Sequence, residues 1–519
     1  MWNKITKMLI IVILALCIFH VNVVLGSNAI TISTNWDPST STGADYCGGV
    51  SPYGTNIYEP LVFVDYDMNL QPGLAESWER VDDYTWRFHL REGVKFHDGT
   101  TFDADAAVVN FDKWVEDPIF STVLASRLYL TSPDQIRAVD DYTLEIKTTE
   151  PLGCLPGRLS NPGLVMVSPE MEEYGKPDGT GPFKFVEMIP MQSLQLAKNE
   201  EYWGDLPKIE VLIINTITDP STKVMALESG DFDLIYGVQL SEVSSLESNF
   251  QVFKKMVPRT TILRLNCNRY PLSDPVVRRA INYAIDRDQI VDYIYEGMGA
   301  PAKSFISPVI SWSAEDELNG YPYNSAKSQE LLAEDGWKDH DGDGYLDKNG
   351  DNLKINLVVA TRGMGLPTYY TALSEAIQEQ LEDVGIEVEL VIVESGMYWP
   401  TLFSENFDML MDYFAPWDGD ASHLISDHCH SKGGFHQGVN LTNQALVDQL
   451  IEVALTTSDA NLAKENYREV QRIVMDEEAI CVPLVYEYEV VVAKDNVKGF
   501  QIHPITAWGI TMNEVYFEG

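Results

Sequence analysis

Alternating apolar and polar residues along the chain predict a series of β-strands. Trp86, Phe88 and Leu90 alternate with polar residues over 84–90, which is the period-two spacing of a half-buried strand. Segments of strand length that are wholly or largely apolar recur along the rest of the chain. They predict further strands over residues 58–64, 211–214, 232–236, 386–390 and 481–493.

Segments with helical signals lie between these strands. Asp219 followed by Pro220 predicts the start of a helix that ends at Gly230, because a capping carboxylate accepts from the free amides of the first turn and proline suits its first position. Strand, helix and strand in succession form a β-α-β unit, so the chain is predicted to be an α/β protein. Other helices are predicted over 103–111, 273–285, 286–297, 369–382, 446–456 and 459–476.

The N-terminus has a different character. Lys4 and Lys7 precede an unbroken apolar run over 8–19, a pattern typical of a secretory signal peptide. We expect residues 1–26 to be removed and the mature chain to begin near Ser27. The run is shorter than the roughly 20 apolar residues that span a bilayer, although residues 21–25 extend it toward an uncleaved membrane anchor. The protein is therefore expected to be secreted across the cytoplasmic membrane, to the periplasm or the cell surface.

Charge and composition exclude several classes of protein. The 36 Lys and Arg residues face 78 Asp and Glu, which gives a formal net charge of −42. Such an acidic surface repels phosphate backbones and anionic membranes, so nucleic acid is not an expected partner. With 45% hydrophobic and 11% aromatic residues, the chain is too apolar to be disordered.

Catalytic signatures are absent from the sequence. It contains no G-x-S-x-G, no H-E-x-x-H and no complete phosphate-binding loop, so we expect a protein that is not an enzyme. The six cysteines include no C-x-x-C pair, and at most one disulfide is expected. A secreted hydrolase stays open as an alternative from another class.

An ordered series of motifs resembles the signature of solute-binding protein family 5, the substrate-binding proteins of peptide/nickel ABC importers. The matching segments cover nearly all of the chain after the leader. They are Leu74-Ala75-Glu76-Ser77-Trp78, residues 84–99, Phe102-Asp103-Ala104-Asp105, Gly179-Thr180-Gly181-Pro182-Phe183, Tyr202-Trp203-Gly204, and residues 226–233, 277–286 and 331–337.

The resemblance implies a two-lobed periplasmic-binding-protein-like fold of the cluster C type, with an extra subdomain on the first lobe. Lobe I is expected to hold residues 27–265 with 484–519, including 61–180 as the extra subdomain, and lobe II to hold 266–483. Candidate hinges are 261–265 and 483–486. The family's permease and ATPases are separate subunits. A monomer that requires no cofactor is expected here.

The loop after residue 412 bears on the ligand. Ala415-Pro416-Trp417-Asp418 resembles the nickel-type members, and Pro416 stands where peptide-binding relatives have an aspartate for the peptide ammonium. This favours a nickel complex, with a short peptide as the alternative because Asp418 or Asp420 supplies a carboxylate after a small shift. For Trp417, lobe packing remains an alternative role. The predicted ligand-binding residues are Tyr413, Trp417, Asp418, Asp420 and Arg127, the last as a substitute for the arginine that holds a carboxylate chelator in relatives.

Metal-competent side chains cluster just beyond this loop. His423, His428, Cys429, His430 and His436 lie within fourteen positions, and imidazole and thiolate suit Ni²⁺. We predict His428 and His430 as nickel ligands, because His430 lies nearest the position of the ligating histidine in nickel-type relatives. The alternative is a solvated histidine-rich loop with no specific ligand.

A second cation signal lies in the second half of the chain. Asp339, Asp341, Asp343 and Asp347 occupy positions one, three, five and nine of a loop with glycine at position six, as in an EF-hand calcium loop. Position twelve is Gly350 instead of the bidentate glutamate. The sequence therefore predicts either a weak structural Ca²⁺ site or a plain acidic turn.

The N-terminal pattern gives a direct prediction. Protein recovered from the cell envelope of an expressing bacterium should begin near Ser27, because signal peptidase removes the leader during export. N-terminal sequencing or intact-mass measurement checks this. An intact Met1 on protein found in the cytoplasm would contradict the export assignment.

Overall fold

The computed structural model describes residues 28–35, 54–117, 120–170, 177–361, 369–505 and 510–518. The predicted leader, residues 1–26, lies outside these ranges. None of the helices in the described part of the chain combines the length and apolar character that crossing a bilayer requires.

One mixed sheet of eleven strands runs through the molecule. It combines parallel pairs, which the predicted β-α-β unit requires, with antiparallel pairs. In spatial order its strands are Phe183–Ile189, Ser193–Lys198, Val211–Thr216, Ala29–Thr34, Leu234–Tyr236, Cys481–Ala493, Gln251–Leu265, Met409–Phe414, Lys354–Thr361 and Glu387–Glu394, with Gly299–Pro301 paired to Cys481–Ala493.

Parallel pairs lie on both sides of the central strands of this sheet. Strand Ala29–Thr34 lies parallel to both Val211–Thr216 and Leu234–Tyr236, which are joined through the helix Pro220–Ser229. On the other side, Lys354–Thr361 lies parallel to its neighbours. The mixed α/β class is therefore confirmed.

Two long strands in the middle of the sheet connect its two ends. Gln251–Leu265 and Cys481–Ala493 pair antiparallel along most of their length, with Thr261 opposite Val485. The two segments expected to be hinges are thus hydrogen-bonded to each other. The lobe boundaries themselves stay a prediction.

A buried polar network lies on these crossing strands. Arg259 and the Thr261 hydroxyl both donate to the Glu487 carboxylate, which is 1% exposed. Tyr295 donates to the Thr261 hydroxyl at 2.9 Å. A buried carboxylate is costly unless it is paired and hydrogen-bonded. Here Arg259 and Thr261 bond it directly, and Tyr295 holds the Thr261 hydroxyl where the strands meet.

A separate four-stranded antiparallel sheet forms within the first half of the chain. Its core includes Phe88, Phe102 and Phe111, all fully buried. The alternation predicted around Trp86 is confirmed, because Phe88 lies in the core whereas His89 is exposed. In spatial order the strands are Ala75–Arg80, Thr85–Leu90, Thr143–Lys147 and Ile136–Asp140.

The remaining regular elements are helices and short strand pairs. The helices are Gly54–Ile57, Ala104–Glu116, Phe120–Arg127, Leu155–Arg158, Leu240–Leu246, Pro275–Ala284, Arg287–Tyr293, Ser325–Glu334, Tyr370–Glu382, Tyr398–Phe403, His423–Cys429, Gln444–Thr456 and Ala460–Gln471. Short 3-10 turns cover Pro133–Gln135 and Ser395–Met397. The strand pairs are Glu59–Pro60 with Val165–Met166, Val62–Val64 with Leu70–Pro72, Asp347–Lys348 with Asp351–Asn352, and Val497–Lys498 with Tyr516–Phe517.

Helix termini follow the predicted capping chemistry. The Asp219 carboxylate accepts from the Thr222 amide at 2.8 Å, and Gly230 ends the helix in the left-handed region at φ 89°. Asp103 caps its helix in the same way by accepting from the Ala106 amide at 2.9 Å. These residues set the helix ends through local hydrogen bonds.

Several predicted elements differ in extent from those observed, as three of them illustrate. The strand predicted over 58–64 is broken into two short strands that pair with different partners, since Pro60 has no amide hydrogen for a continuous ladder. The helix predicted to reach Gly297 ends at Tyr293. The helix predicted over 459–476 changes to a π-helix over Arg472–Glu477.

The fold predicts a specific acid sensitivity at His97. Burial lowers the pKa of this imidazole from 6.5 to about 4, while its Nε2 lies 2.9 Å from the Gly181 carbonyl oxygen. Because the unfolded chain takes up the proton first, stability present above pH 6.5 is lost as the pH falls toward 4. The full shift corresponds to about 3 kcal/mol of unfolding free energy.

His97→Gln should therefore lose less unfolding free energy than the parent between pH 7 and pH 4.5, as measured by urea denaturation. His89→Gln, at an exposed imidazole on the neighbouring strand, controls for removal of a histidine as such. Equal losses in the parent and His97→Gln would contradict this role for His97.

Candidate functional site

Two adjoining cavities lie beside the loop that follows strand Met409–Phe414. The first has a volume of about 100 Å³ and the second about 730 Å³. Arg127, Trp417 and Phe435 line both of them, so the cavities are neighbouring parts of one region. Tyr413 also lines the first cavity.

Arg127 is the last residue of the helix Phe120–Arg127, and its side chain contacts residues from the second half of the chain. Its Nη2 donates to the Asp427 carboxylate at 2.8 Å, and its guanidinium carbon lies 4.7 Å from the centre of the Trp417 ring. A guanidinium over an indole face is an attractive cation–π contact. The structure thus brings together two residues predicted from distant parts of the sequence.

A buried ion pair forms one wall of the first cavity. Arg264, on a crossing strand, donates from Nε and Nη2 to Asp412 Oδ2 at 3.1 and 2.9 Å. Its Nη1 donates to the Phe435 carbonyl at 3.0 Å. Both charged residues are more than 90% buried, and removal of either would leave an uncompensated charge. The pair therefore ties the crossing strand to the cavity wall.

His428 lies between two aromatic rings at the first cavity. Its ring centre is 3.9 Å from that of Phe414 and 5.5 Å from that of Phe435, with near-parallel planes. Burial first, and then the neighbouring Arg264 guanidinium, hold the pKa of His428 well below its usual value. The imidazole is therefore neutral at neutral pH, the form that can bind a metal.

His430 has different surroundings. Its Nδ1 accepts from the Lys432 amide at 3.0 Å, and its Nε2 lies 3.4 Å from the Glu452 carboxylate. It lines the second cavity, whereas His428 lines the first. The structure does not bring the two predicted nickel ligands to one cavity.

Asp418 and Asp420 stabilise the loop itself. Asp418 is 1% exposed and accepts from the Ala421 amide at 2.8 Å, while Asp420 accepts from the Ser422 amide and hydroxyl. Burial is the largest single effect and opposes ionisation of Asp418, but His423, Arg158 and the Ala421 amide together outweigh it and lower the pKa of Asp418. Neither carboxylate residue lines either cavity.

The acidic loop near residue 340 lies elsewhere. Within the described residues, Asp339, Asp341 and Asp343 form the one group of three or more metal-competent side chains close enough to share an ion, with oxygens within 4.8 Å of one another. All three are exposed, and Asp347 instead pairs with His340 at 2.9 Å. Exposed acidic turns commonly form such groups, and calcium here stays a prediction of the sequence.

The four-stranded subdomain contacts the cavity loop directly. Arg158 donates to the Ser422 hydroxyl at 3.0 Å, and the Gly419 amide donates to the Ser160 hydroxyl at 2.8 Å. The backbone at Gly157 approaches Asp420 so closely that an added Cβ would lie 2.7 Å from the Asp420 Cβ. The cavities therefore lie where two parts of the molecule meet.

Several residues of the site were missed by sequence reasoning. They are aromatic or charged residues whose sequence context is that of ordinary core strands and helices. Arg264 and Asp412 lie on paired strands, in which Ile262 is opposite Asp412 and Arg264 is opposite Leu410. No local sequence pattern gives this register, so it was not available from the sequence. The missed lining residues are Arg264, Tyr398, Trp399, Asp412, Phe414 and Phe435.

This fold and site define a class of protein. It is a two-lobed binding protein whose cavities lie where the four-stranded subdomain meets the cavity loop. The family described as bacterial extracellular solute-binding proteins, family 5 Middle, matches residues 69–435. The chain belongs to this family. It is the substrate-binding component of a peptide/nickel-type ABC importer, working with a permease, and it is a binding protein rather than an enzyme.

Three relatives illustrate the similarity. The nickel-binding periplasmic protein of Escherichia coli (strain K12) is 28% identical over 470 residues, which cover 86% of this chain and 87% of that protein. The glutathione-binding protein GsiB of Salmonella paratyphi A (strain ATCC 9150 / SARB42) is 26% identical over 472 residues, 87% and 88% of the two chains. The crystal structure of NikA from Brucella suis in complex with Fe(III)-EDTA matches with a TM-score of 0.84 and 25% identity, covering 95% of this chain and all of that one.

The close approach at Gly157 gives a prediction about the subdomain contact. Gly157→Ala should reduce the unfolding free energy by about 1–3 kcal/mol, because the new methyl group overlaps Asp420 and forces the contact apart. Gly434→Ala, where an added Cβ has no atom within 4 Å, is the matched control. Chemical denaturation measures both, and equal stability of the two variants would show that the contact is not tight.

Proposed function

We propose that this protein captures a nickel complex and delivers it to the permease after export from the cytoplasm. Support comes from the wall of the first cavity, which presents the guanidinium groups of Arg127 and Arg264 against the single carboxylate of Asp412. Guanidinium groups suit the carboxylates of a chelator. Both guanidinium groups are already paired, Arg127 with Asp427 and Arg264 with Asp412, so a chelator carboxylate would share these ion pairs.

The carboxylates that a peptide ammonium would need are already engaged at the first cavity. Asp412 pairs with Arg264, and Asp418 and Asp420 accept hydrogen bonds within the loop. A peptide ammonium there would have to displace one of these partners, which costs the energy of a buried hydrogen bond. This is the observation on which the preference for a nickel complex rests.

His428 is proposed as the protein ligand to nickel. Its Nδ1 lies 3.3 Å from the Phe435 carbonyl oxygen, which accepts, and 3.2 Å from Arg264 Nη2, which donates. Nickel binding at Nε2 requires the tautomer in which Nδ1 carries the proton. Because Arg264 Nη2 lies only 3.2 Å from Nδ1, a bare dication is disfavoured nearby. A complex whose chelator carries net negative charge is therefore the preferred cargo, with Arg127 contacting its carboxylates.

Capture is proposed to favour the arrangement in which the subdomain and the cavity loop are in contact. Arg127 lies on the subdomain, and Trp417 and His428 lie in the second half of the chain, so one ligand touching all three favours their contact. A ligand shifts such an equilibrium only by its difference in affinity for the two states. The permease would then recognise the ligand-bound arrangement.

A short peptide remains the second candidate because of the larger cavity. Glu150, Asp427 and Glu452 line that cavity, and its volume of about 730 Å³ is enough for more than a small chelate. A peptide ammonium could pair with Glu150 or Glu452 there.

Calorimetric titration separates the two cargoes. Ni²⁺ bound to a polycarboxylate chelator should bind with micromolar or tighter affinity, about 8 kcal/mol or more, and more tightly than Ni²⁺ alone. His428→Ala should weaken this binding at least tenfold, about 1.4 kcal/mol. His340→Ala, at the exposed acidic loop, is the control.

Di- to pentapeptides titrated under the same conditions should bind weakly or not at all. Tight peptide binding together with no response to the nickel complex would reverse the assignment. An unchanged affinity in His428→Ala would remove His428 as the nickel ligand.

A further inference from the structure

A ladder of nearly parallel rings adjoins the first cavity. Phe414, His428, Phe435 and Trp399 follow one another, with centroid separations of 3.9, 5.5 and 5.5 Å and interplanar angles of 15°, 25° and 29°. Phe403, which is 53% exposed, stacks beside the outer end of the ladder, with its ring centre 5.7 Å from that of Trp399 and 6.2 Å from that of Phe435. Four of these rings line the cavity, and Phe403 does not.

The rest of the cavity has the same aromatic character. Six of its sixteen lining residues are Phe, Tyr or Trp, and the volume of about 100 Å³ approaches that of an engineered apolar cavity of roughly 150 Å³ that holds benzene. Aromatic rings gain from offset-stacked or edge-to-face contacts beyond the area that they bury. A saturated ring of similar size lacks this gain.

A cationic group lies at the edge of this aromatic space. Arg127 lines the cavity and covers the Trp417 ring, while Arg264 lies over the Phe414 ring, 5.1 Å from its centre. A ligand that places a flat ring among the aromatic side chains therefore directs an attached carboxylate toward a guanidinium group. The site combines features that suit a planar ring and an anion.

We infer that the chelator in the cargo is an aromatic carboxylate, with a planar six-membered ring that occupies the first cavity and a carboxylate next to a ring nitrogen. Such a molecule holds nickel through the nitrogen and the carboxylate while its ring contacts the ladder. The inference rests on the proposed function, because it names the class of chelator for the same site.

The test uses two chelators that differ in the ring alone. Pyridine-2-carboxylate is flat and aromatic, whereas piperidine-2-carboxylate is its saturated counterpart with the same nitrogen and carboxylate. Each is titrated as its nickel complex by calorimetry. The aromatic complex should bind at least tenfold more tightly. The metal-free pair benzoate and cyclohexanecarboxylate is measured by competition and should show the same order of preference.

Two variants test whether the ring ladder causes the preference for the aromatic chelator. Phe435→Leu keeps an apolar side chain but removes a ring that lines the cavity, and should reduce the aromatic-over-saturated ratio at least threefold. Phe403→Leu removes the ring at the solvent end of the same ladder and should leave the ratio unchanged. Thermal melting of both variants confirms that each is folded.

The outcomes distinguish this inference from the proposed function. Nickel complexes that bind tightly without any aromatic preference overturn the inference and leave nickel transport standing. An aromatic preference in the metal-free acids, with no effect of nickel, overturns the nickel assignment and retains the ring site. The inference is also overturned if neither the nickel complexes nor the metal-free acids show a preference for the aromatic ring. An equal fall of the aromatic-over-saturated ratio in Phe435→Leu and Phe403→Leu overturns it as well.

Discussion

The pairing of two long strands at the centre of the main sheet is the constraint on which the molecule depends. Gln251–Leu265 and Cys481–Ala493 lie between the two ends of the sheet and are hydrogen-bonded to each other. The two ends therefore cannot slide apart without breaking this ladder. The buried Glu487 adds directional bonds at the same place. Relative motion of the two ends is therefore restricted to bending and twisting about this pair.

The ligand region is built outward from the same strands. Arg264 extends from Gln251–Leu265 to Asp412 and to the Phe435 carbonyl, so one guanidinium links the sheet, the cavity loop and the aromatic ladder. A buried pair of this kind adds little net stability but fixes geometry, because each partner alone would be costly. Arg127 supplies the second cation from the subdomain. Each of the two guanidinium groups is paired with a carboxylate, Arg264 with Asp412 and Arg127 with Asp427, so charge at the site is locally balanced inside an acidic protein.

The sequence predicted the fold more completely than the site. Ordered motifs and capping residues such as Asp219 and Gly230 act through neighbours in the chain, so they were interpretable without coordinates. Arg127 and Trp417 were predicted separately and are found in contact. His428 and His430 were grouped because they are neighbours in sequence, but the helix His423–Cys429 ends between them, so they line different cavities. Asp418 and Asp420 bind amides of their own turn, which depends on loop geometry that composition does not contain.

The cysteines in the described part of the chain illustrate how burial governs reactivity. Cys154, Cys267, Cys429 and Cys481 are free thiols, and burial raises the pKa of each, to about 12 for Cys154 and Cys429. The thiolate is the form that attacks disulfides and binds soft metals. These thiols are therefore protonated and unreactive at neutral pH. A carrier must release its cargo, and a reactive thiolate beside the cavity would instead retain it. Cys429 is completely buried next to His428, and its protonated state keeps it from binding the metal of the proposed nickel cargo.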